Sequence, residues 1–161
     1  MFHPKLVHLP IGLSIVMPLI AISVIVAWWR GWLPAKTWLI AIGLQAVLAG
    51  SAFVAAQSGE QEEERVEDVV SEHFIEEHEE AAEWFVRGSM GVLVLMVVGV
   101  VVGRRRERAG FALAATSAVL TVAVLAMAYR AGEAGGRLVY KHGAAGAYSG
   151  PAAPSPAHDD D

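Results

Sequence analysis

Six histidines are the residues best able to hold a metal or cofactor: His3, His8, His73, His78, His142 and His158. The chain has no cysteine. That excludes thiolate zinc sites, cysteine-ligated iron–sulfur clusters and covalent c-type haem attachment. Any ligand set must come from His, Asp, Glu, Met or Tyr. His8 lies in "HPKLVHLP", residues 3–10, where a long apolar run begins. Pro4 and Lys5 read as a helix start and an interface anchor, and His3 needs only water. His8 followed by Pro10 asks for more. Pro10 has no N–H to give the carbonyl of Leu6, and an ionisable side chain in a membrane span marks a functional candidate. Two readings of His8 stand side by side: a ligand, and a hydrated residue in the headgroup layer.

His78 is the second candidate. Residues 58–83, "SGEQEEERVEDVVSEHFIEEHEEAAE", hold twelve acidic residues. Within them Val66, Val70, Phe74, His78, Ala81 and Phe85 recur at three- and four-residue steps, which is helical spacing. This predicts an amphipathic helix over 62–83 that runs directly into the next apolar segment. His78 lies on its apolar stripe, where a histidine needs a partner. His73 is about 140° away around a helix axis, so the two cannot serve one metal ion from one regular helix. His73 instead faces Glu76 and Glu77, a mixed nitrogen and oxygen set suited to Zn, Cu or Fe; as a solvated face it needs no metal at all. Arg87, Arg130 and Arg137 could bind carboxylates such as haem propionates through paired hydrogen bonds. Snorkelling and pairing with the acidic stretch are their plainer roles. Met17, Met90 and Met127 are soft ligands by chemistry and packing residues by position.

The elements that must position these groups are four apolar segments, at about 6–29, 38–57, 84–103 and 109–130. The 161-residue chain is 55% hydrophobic with mean hydropathy +0.45. Each segment has the roughly 20 residues that a bilayer-crossing helix needs. Four strands could not close a barrel, so the fold class is all-α: a four-transmembrane-helix bundle with an acidic amphipathic helical extension before helix three. The first run is full length and ends in "WWRGW", unlike a cleaved signal peptide. Trp28, Trp29, Trp32 and Trp38 read as an interfacial belt. The loops "RGWLPAKT" and "RRRER" are basic and share one side, which the positive-inside rule makes cytoplasmic. Both termini and the acidic loop then lie outside a bacterial inner membrane, and every histidine falls on that side. Residues 1–148 form the membrane domain, and 149–161, rich in Pro and Ala, read as a disordered tail. Gly43, Ala46, Ala49 and Gly50, with Ala114 and Ala118, read as faces for close helix packing, and Gln45 as a mid-span hydrogen-bonding group.

"HPKLVHLP" before the first span and "GGRLVYKHG", residues 135–143, after the last resemble a family of uncharacterised four-helix bacterial membrane proteins. That family opens with His-Pro-x-x-Val-His-Phe-Pro, and Leu9 stands here in place of the Phe. The resemblance covers residues 3–146 and falls on His3, His8 and His142. Some relatives join this domain to cytochrome c-type modules, which implies an electron-transfer setting and favours haem over a plain metal ion.

Nothing in the chain resembles a nucleophile–base pair, a zinc-protease motif or a phosphate loop. No basic stripe with aromatics suggests nucleic acid. The expectation is a carrier or binding protein rather than a catalyst: a b-type haem held near the outer face by His8 and His78, with His142 as substitute ligand. Arg87, Arg130 or Arg137 would hold the propionates, and quinol or another redox subunit would be the partner. The alternatives are a cofactor-free accessory subunit whose acidic helix docks a basic protein, and a divalent metal-ion binder using His73, Glu76, Glu77 and His78. Oligomerisation is compatible with all three.

Overall fold

The computed structural model describes residues 6–67, 69–142, 144 and 146, without the side chains of 61–65. Among the described residues four long helices make up the fold: α1 His8–Trp29, α2 Trp38–Val66, α3 Glu72–Gly103 and α4 Glu107–Tyr140. A 3-10 turn, Ala35–Thr37, leads into α2. All four helices are long and apolar enough to cross a membrane. Each packs against its neighbours in sequence, and α1 closes the ring against α4. The result is an up-down-up-down bundle, the arrangement short connections impose. The start of α1, the α2–α3 connection and the end of α4 meet at one end, here the acidic end. The two arginine- and lysine-bearing loops meet at the other, the basic end.

At the basic end the chain turns tightly. α1 stops in a Schellman motif: Gly31 N–H bonds Trp28 O at 2.9 Å and Trp32 N–H bonds Ala27 O at 2.8 Å. Gly31 has φ +72°, a left-handed conformation that a Cβ disfavours. Trp28 meets Phe111 edge-on, with ring centroids 5.0 Å apart. Arg30 lies over both Trp29 and Trp32, the stacked placement expected of an interfacial arginine. Trp38 departs from the predicted belt. It is buried at 2% exposure, because it starts α2 on the face that also carries Ala41, Gln45, Leu48 and Ala52.

The close helix packing also differs from expectation. Gly43, Ala46 and Gly50 are exposed, on the face of α2 opposite Gln45 and Leu48. Only Ala49, Ala114 and Ala118 of the expected set are buried. The tightest approach is between α3 and α4 near the basic end. A Cβ on Gly110 would stand 2.8 Å from both Gly103 N and Gly99 O, so these glycines let two backbones touch. Large apolar side chains such as Ile15, Leu19, Ile40, Val94 and Val119 point outward, as helices bathed in lipid require.

At the acidic end the expected single helix over 62–83 is replaced by a hairpin. α2 continues from its span to Val66, the chain reverses through 67–71, and α3 starts at Glu72 after Ser71 in an extended conformation. Roughly 44 Å of α2 and still longer α3 and α4 exceed the ~30 Å hydrocarbon core, while α1 barely spans it. The overhangs build a helical head with its own apolar core: Val70, Ile75, Leu138 and Ala144, with Val66 and Phe74 against them. The reversal has a physical reason. A continuous helix would leave Val66 and Val70 open to water, whereas the turn closes both onto Phe74, Ile75 and the end of α4.

Candidate functional site

The head and the adjoining ends of the spans hold most of the predicted site. His78 is half-buried on the inner face of α3. Its Nδ1 donates to the backbone oxygen of Ala131 on α4 at 3.2 Å. The ring lies against Gly135, where a Cβ would meet Cε1 at 3.0 Å. A glycine at 135 is what lets the imidazole reach the α4 backbone. Since a carbonyl only accepts, Nδ1 carries the proton in the neutral ring and Nε2 carries the lone pair.

The other histidines are arranged differently. His142 is half-buried and stacks on Phe74, with ring centroids 3.8 Å apart and an interplanar angle of 20°. It pins the end of α4 to the start of α3. His73 is exposed and tilted against the same Phe74 at 5.5 Å. Its separation from the half-buried His78 follows the helical spacing. His8 is the first residue of α1 and exposed. One turn on, Ile11 lies 3.9 Å from the Cβ position of Gly132, so α1 meets α4 close to the His78 level. Pro10 falls in the first turn of α1. Pro10 has no N–H for the carbonyl of Leu6, and Ile11 N–H bonds the next carbonyl, Val7 O, at 3.3 Å. His3 and His158 lie outside the described residues. Among the described residues no three His, Asp or Glu side chains gather as a metal-ligand group. Glu76 and Glu77 are both exposed.

Two of the three arginines, Arg137 and Arg87, find carboxylates within the chain. Arg137 bonds Glu133 at 2.7 Å and Glu77 at 3.3 Å, tying α4 to α3. Arg87 pairs with Glu83, one turn away, at 3.1 Å. Arg130 is exposed at the end of the predicted fourth span. Glu133 lies beyond that span, and its carboxyl is held below the usual range, first by the hydrogen bond from Arg137 and then by that residue's charge. The Arg137 guanidinium is correspondingly raised by the bond and charge of Glu133. Glu72, Glu76, Glu80 and Glu83, spaced four, four and three residues apart, form an exposed acidic stripe along α3.

Some participants are not apparent from the pattern alone. Ala131 and Gly135 carry no functional group, yet they receive His78. Ser14, Ser89, Ser117 and Thr121 join Gln45 as fully buried polar residues in the spans. Only Gln45 stands out from its apolar neighbours in sequence. The serines and threonine are common in helix interfaces and give little signal individually.

Fold and site together define a multi-pass membrane protein: four spanning helices carrying a compact acidic head. The chain belongs to DUF2231, a family of predicted membrane proteins whose model matches residues 1–147. Neither the curated proteins nor the solved structures give a significant match.

Proposed function

We propose that this protein is an accessory subunit of a larger bacterial membrane assembly, which presents an acidic helical head to a basic partner. The observation that carries this reading is the head itself. Its acidic stripe, Glu72, Glu76, Glu80 and Glu83, is exposed on helices locked by a separate apolar core. A preorganised charged face needs little ordering on binding and steers an oppositely charged partner. The six basic residues at the other end, Arg30, Lys36, Arg104, Arg105, Arg106 and Arg108, favour a cytoplasmic placement for that end. The head then faces outward from the inner membrane. The test is gentle purification from native membranes, beside a variant with Glu72, Glu76 and Glu80 changed to lysine. A stoichiometric partner that leaves at about 0.5 M salt, where surface charges are screened, and is lost from the variant is the expected result. A partner retained by the variant with unchanged salt dependence would rule the reading out.

A second reading, a b-type haem at the same end, is favoured by the hydrogen bond from His78 Nδ1 to Ala131 O. Ligating histidines are oriented through just such a bond from the second ring nitrogen. His78 fits one axial position, with His8 or His142 as the other ligand, and the haem would supply electron transfer between quinol and an outer acceptor. Arg137 fits a propionate less well, because Glu77 and Glu133 already engage it. An absorption spectrum of protein from haem-replete cells tests this reading. A Soret band that His78→Ala removes supports it, and no band in the wild-type protein ends it.

A further inference from the structure

The spans contain five buried polar side chains, with at least one from every helix. Ser14, Gln45, Ser89, Ser117 and Thr121 are each at most 1% exposed. Each has a donor directed to a backbone carbonyl. Ser14 Oγ donates to Ile11 O at 2.7 Å, Ser89 Oγ to Val86 O at 2.9 Å, Ser117 Oγ to Ala114 O at 2.8 Å and Thr121 Oγ1 to Ala118 O at 2.6 Å. Gln45 Nε2 crosses from α2 to donate to Ser89 O at 3.0 Å. Each hydroxyl proton and one Gln45 amide proton are so committed, which leaves the hydroxyl lone pairs, Gln45 Oε1 and the second Gln45 N–H.

Gln45 Oε1 is the sharpest case. It is fully buried and has no hydrogen-bond partner. Flipping the carboxamide gives no relief, since Ser89 O can only accept and would then face an oxygen. A hydroxyl could turn toward Gln45 only by giving up its own bond to a backbone carbonyl. An acceptor left bare in the apolar interior of a bundle is unfavourable, so the site calls for an added donor.

Helix register places other acceptors nearby. Gly88, beside Ser89, lies against Met127 and Val124 of α4. Thr121 is one turn from Val124 in one direction. Ser14 lines a groove with Ala128, one turn from Val124 in the other. The polar groups thus form a file down the bundle, roughly 16 Å along α4 from the level of residue 128 to 117. Among the described residues no charged side chain is one of the buried polar groups. A bare cation would lack a counter-charge there, whereas water brings two donors and is neutral.

We propose that the bundle core binds internal water at Gln45, donated to Oε1 and to a neighbouring hydroxyl lone pair of the file. The test uses the full chain in lipid nanodiscs with 15N-labelled glutamine. The expected result is a magnetisation-transfer cross-peak between water and the Gln45 side-chain amide, assigned by its loss in Gln45→Met. Absence of that cross-peak from a folded wild-type protein overturns the proposal. So does a thermal midpoint that rises in sodium chloride over choline chloride for wild type but not for Gln45→Met, because the occupant is then an ion.

Discussion

At the residue scale, position rather than residue type decides which groups matter. Gly110 and Gly43 are both glycines in apolar helices. A Cβ at Gly43 meets nothing within 4 Å, while one at Gly110 meets the backbone of α3. Gly110→Ala should therefore separate α3 from α4 and lower stability by about 1–3 kcal/mol, the usual range for overpacking. Gly43→Ala should be neutral or slightly stabilising through helix propensity. Thermal denaturation in detergent compares the two. Glu133 gives a pH prediction with a definite sign. Its folded-state carboxyl is lowered by Arg137, so the pairing favours the fold above the ordinary carboxylate value of 4.5 and is lost as pH falls through the lowered one. The Glu133 carboxyl resonance should titrate below 4.5 and return toward it in Arg137→Gln. Both groups are well exposed, so the effect on overall stability should be small.

At the element scale, the acidic stretch is the instructive case. Of its apolar stripe, Val66, Val70, Phe74 and Phe85 lie in or against the apolar cores, His78 turns to α4 and Ala81 is half-buried. The spacing also suggests one helix where the protein builds a reversal. Spacing reports which residues want burial, but not whether they reach it along one helix or across a turn. The burial partner decides, and here it is the last two turns of α4 with Leu138. Phe74 links three parts of the head: its core, His73 and His142. Phe74→Ala should loosen the head without unfolding the spans, since the main bundle core is a separate cluster. Cleavage by a glutamyl-specific protease at the 67–71 turn should rise several-fold, with the helical circular dichroism of the spans largely kept. Equal protection of variant and wild type would show that the head is held by other contacts.

At the scale of the whole molecule, the two ends differ in charge. Twelve acidic residues lie between 58 and 83, and four of the twelve basic residues lie between 104 and 108. The absence of cysteine makes the orientation directly testable. Single cysteines at Ser71 and Lys36 should behave oppositely in intact cells: an impermeant maleimide should label Ser71→Cys and leave Lys36→Cys unmodified until the membrane is opened. The reverse pattern would place the head in the cytoplasm and displace the docking reading to that side.

Four spans, their antiparallel order and the gathering of acid at one end follow from the sequence alone. They depend on hydrophobic length and loop charge, which are properties of contiguous residues. The tertiary structure decided what needs neighbours from elsewhere in the chain. It put His78 against Ala131 and Gly135, set His142 on Phe74, gave Arg137 to Glu77 and Glu133, and turned Trp38 inward. It also joined Gln45 of α2 to the backbone of Ser89 on α3. Each of these depends on helix rotation and register, which side-chain packing sets between segments far apart in sequence, and which no local pattern encodes.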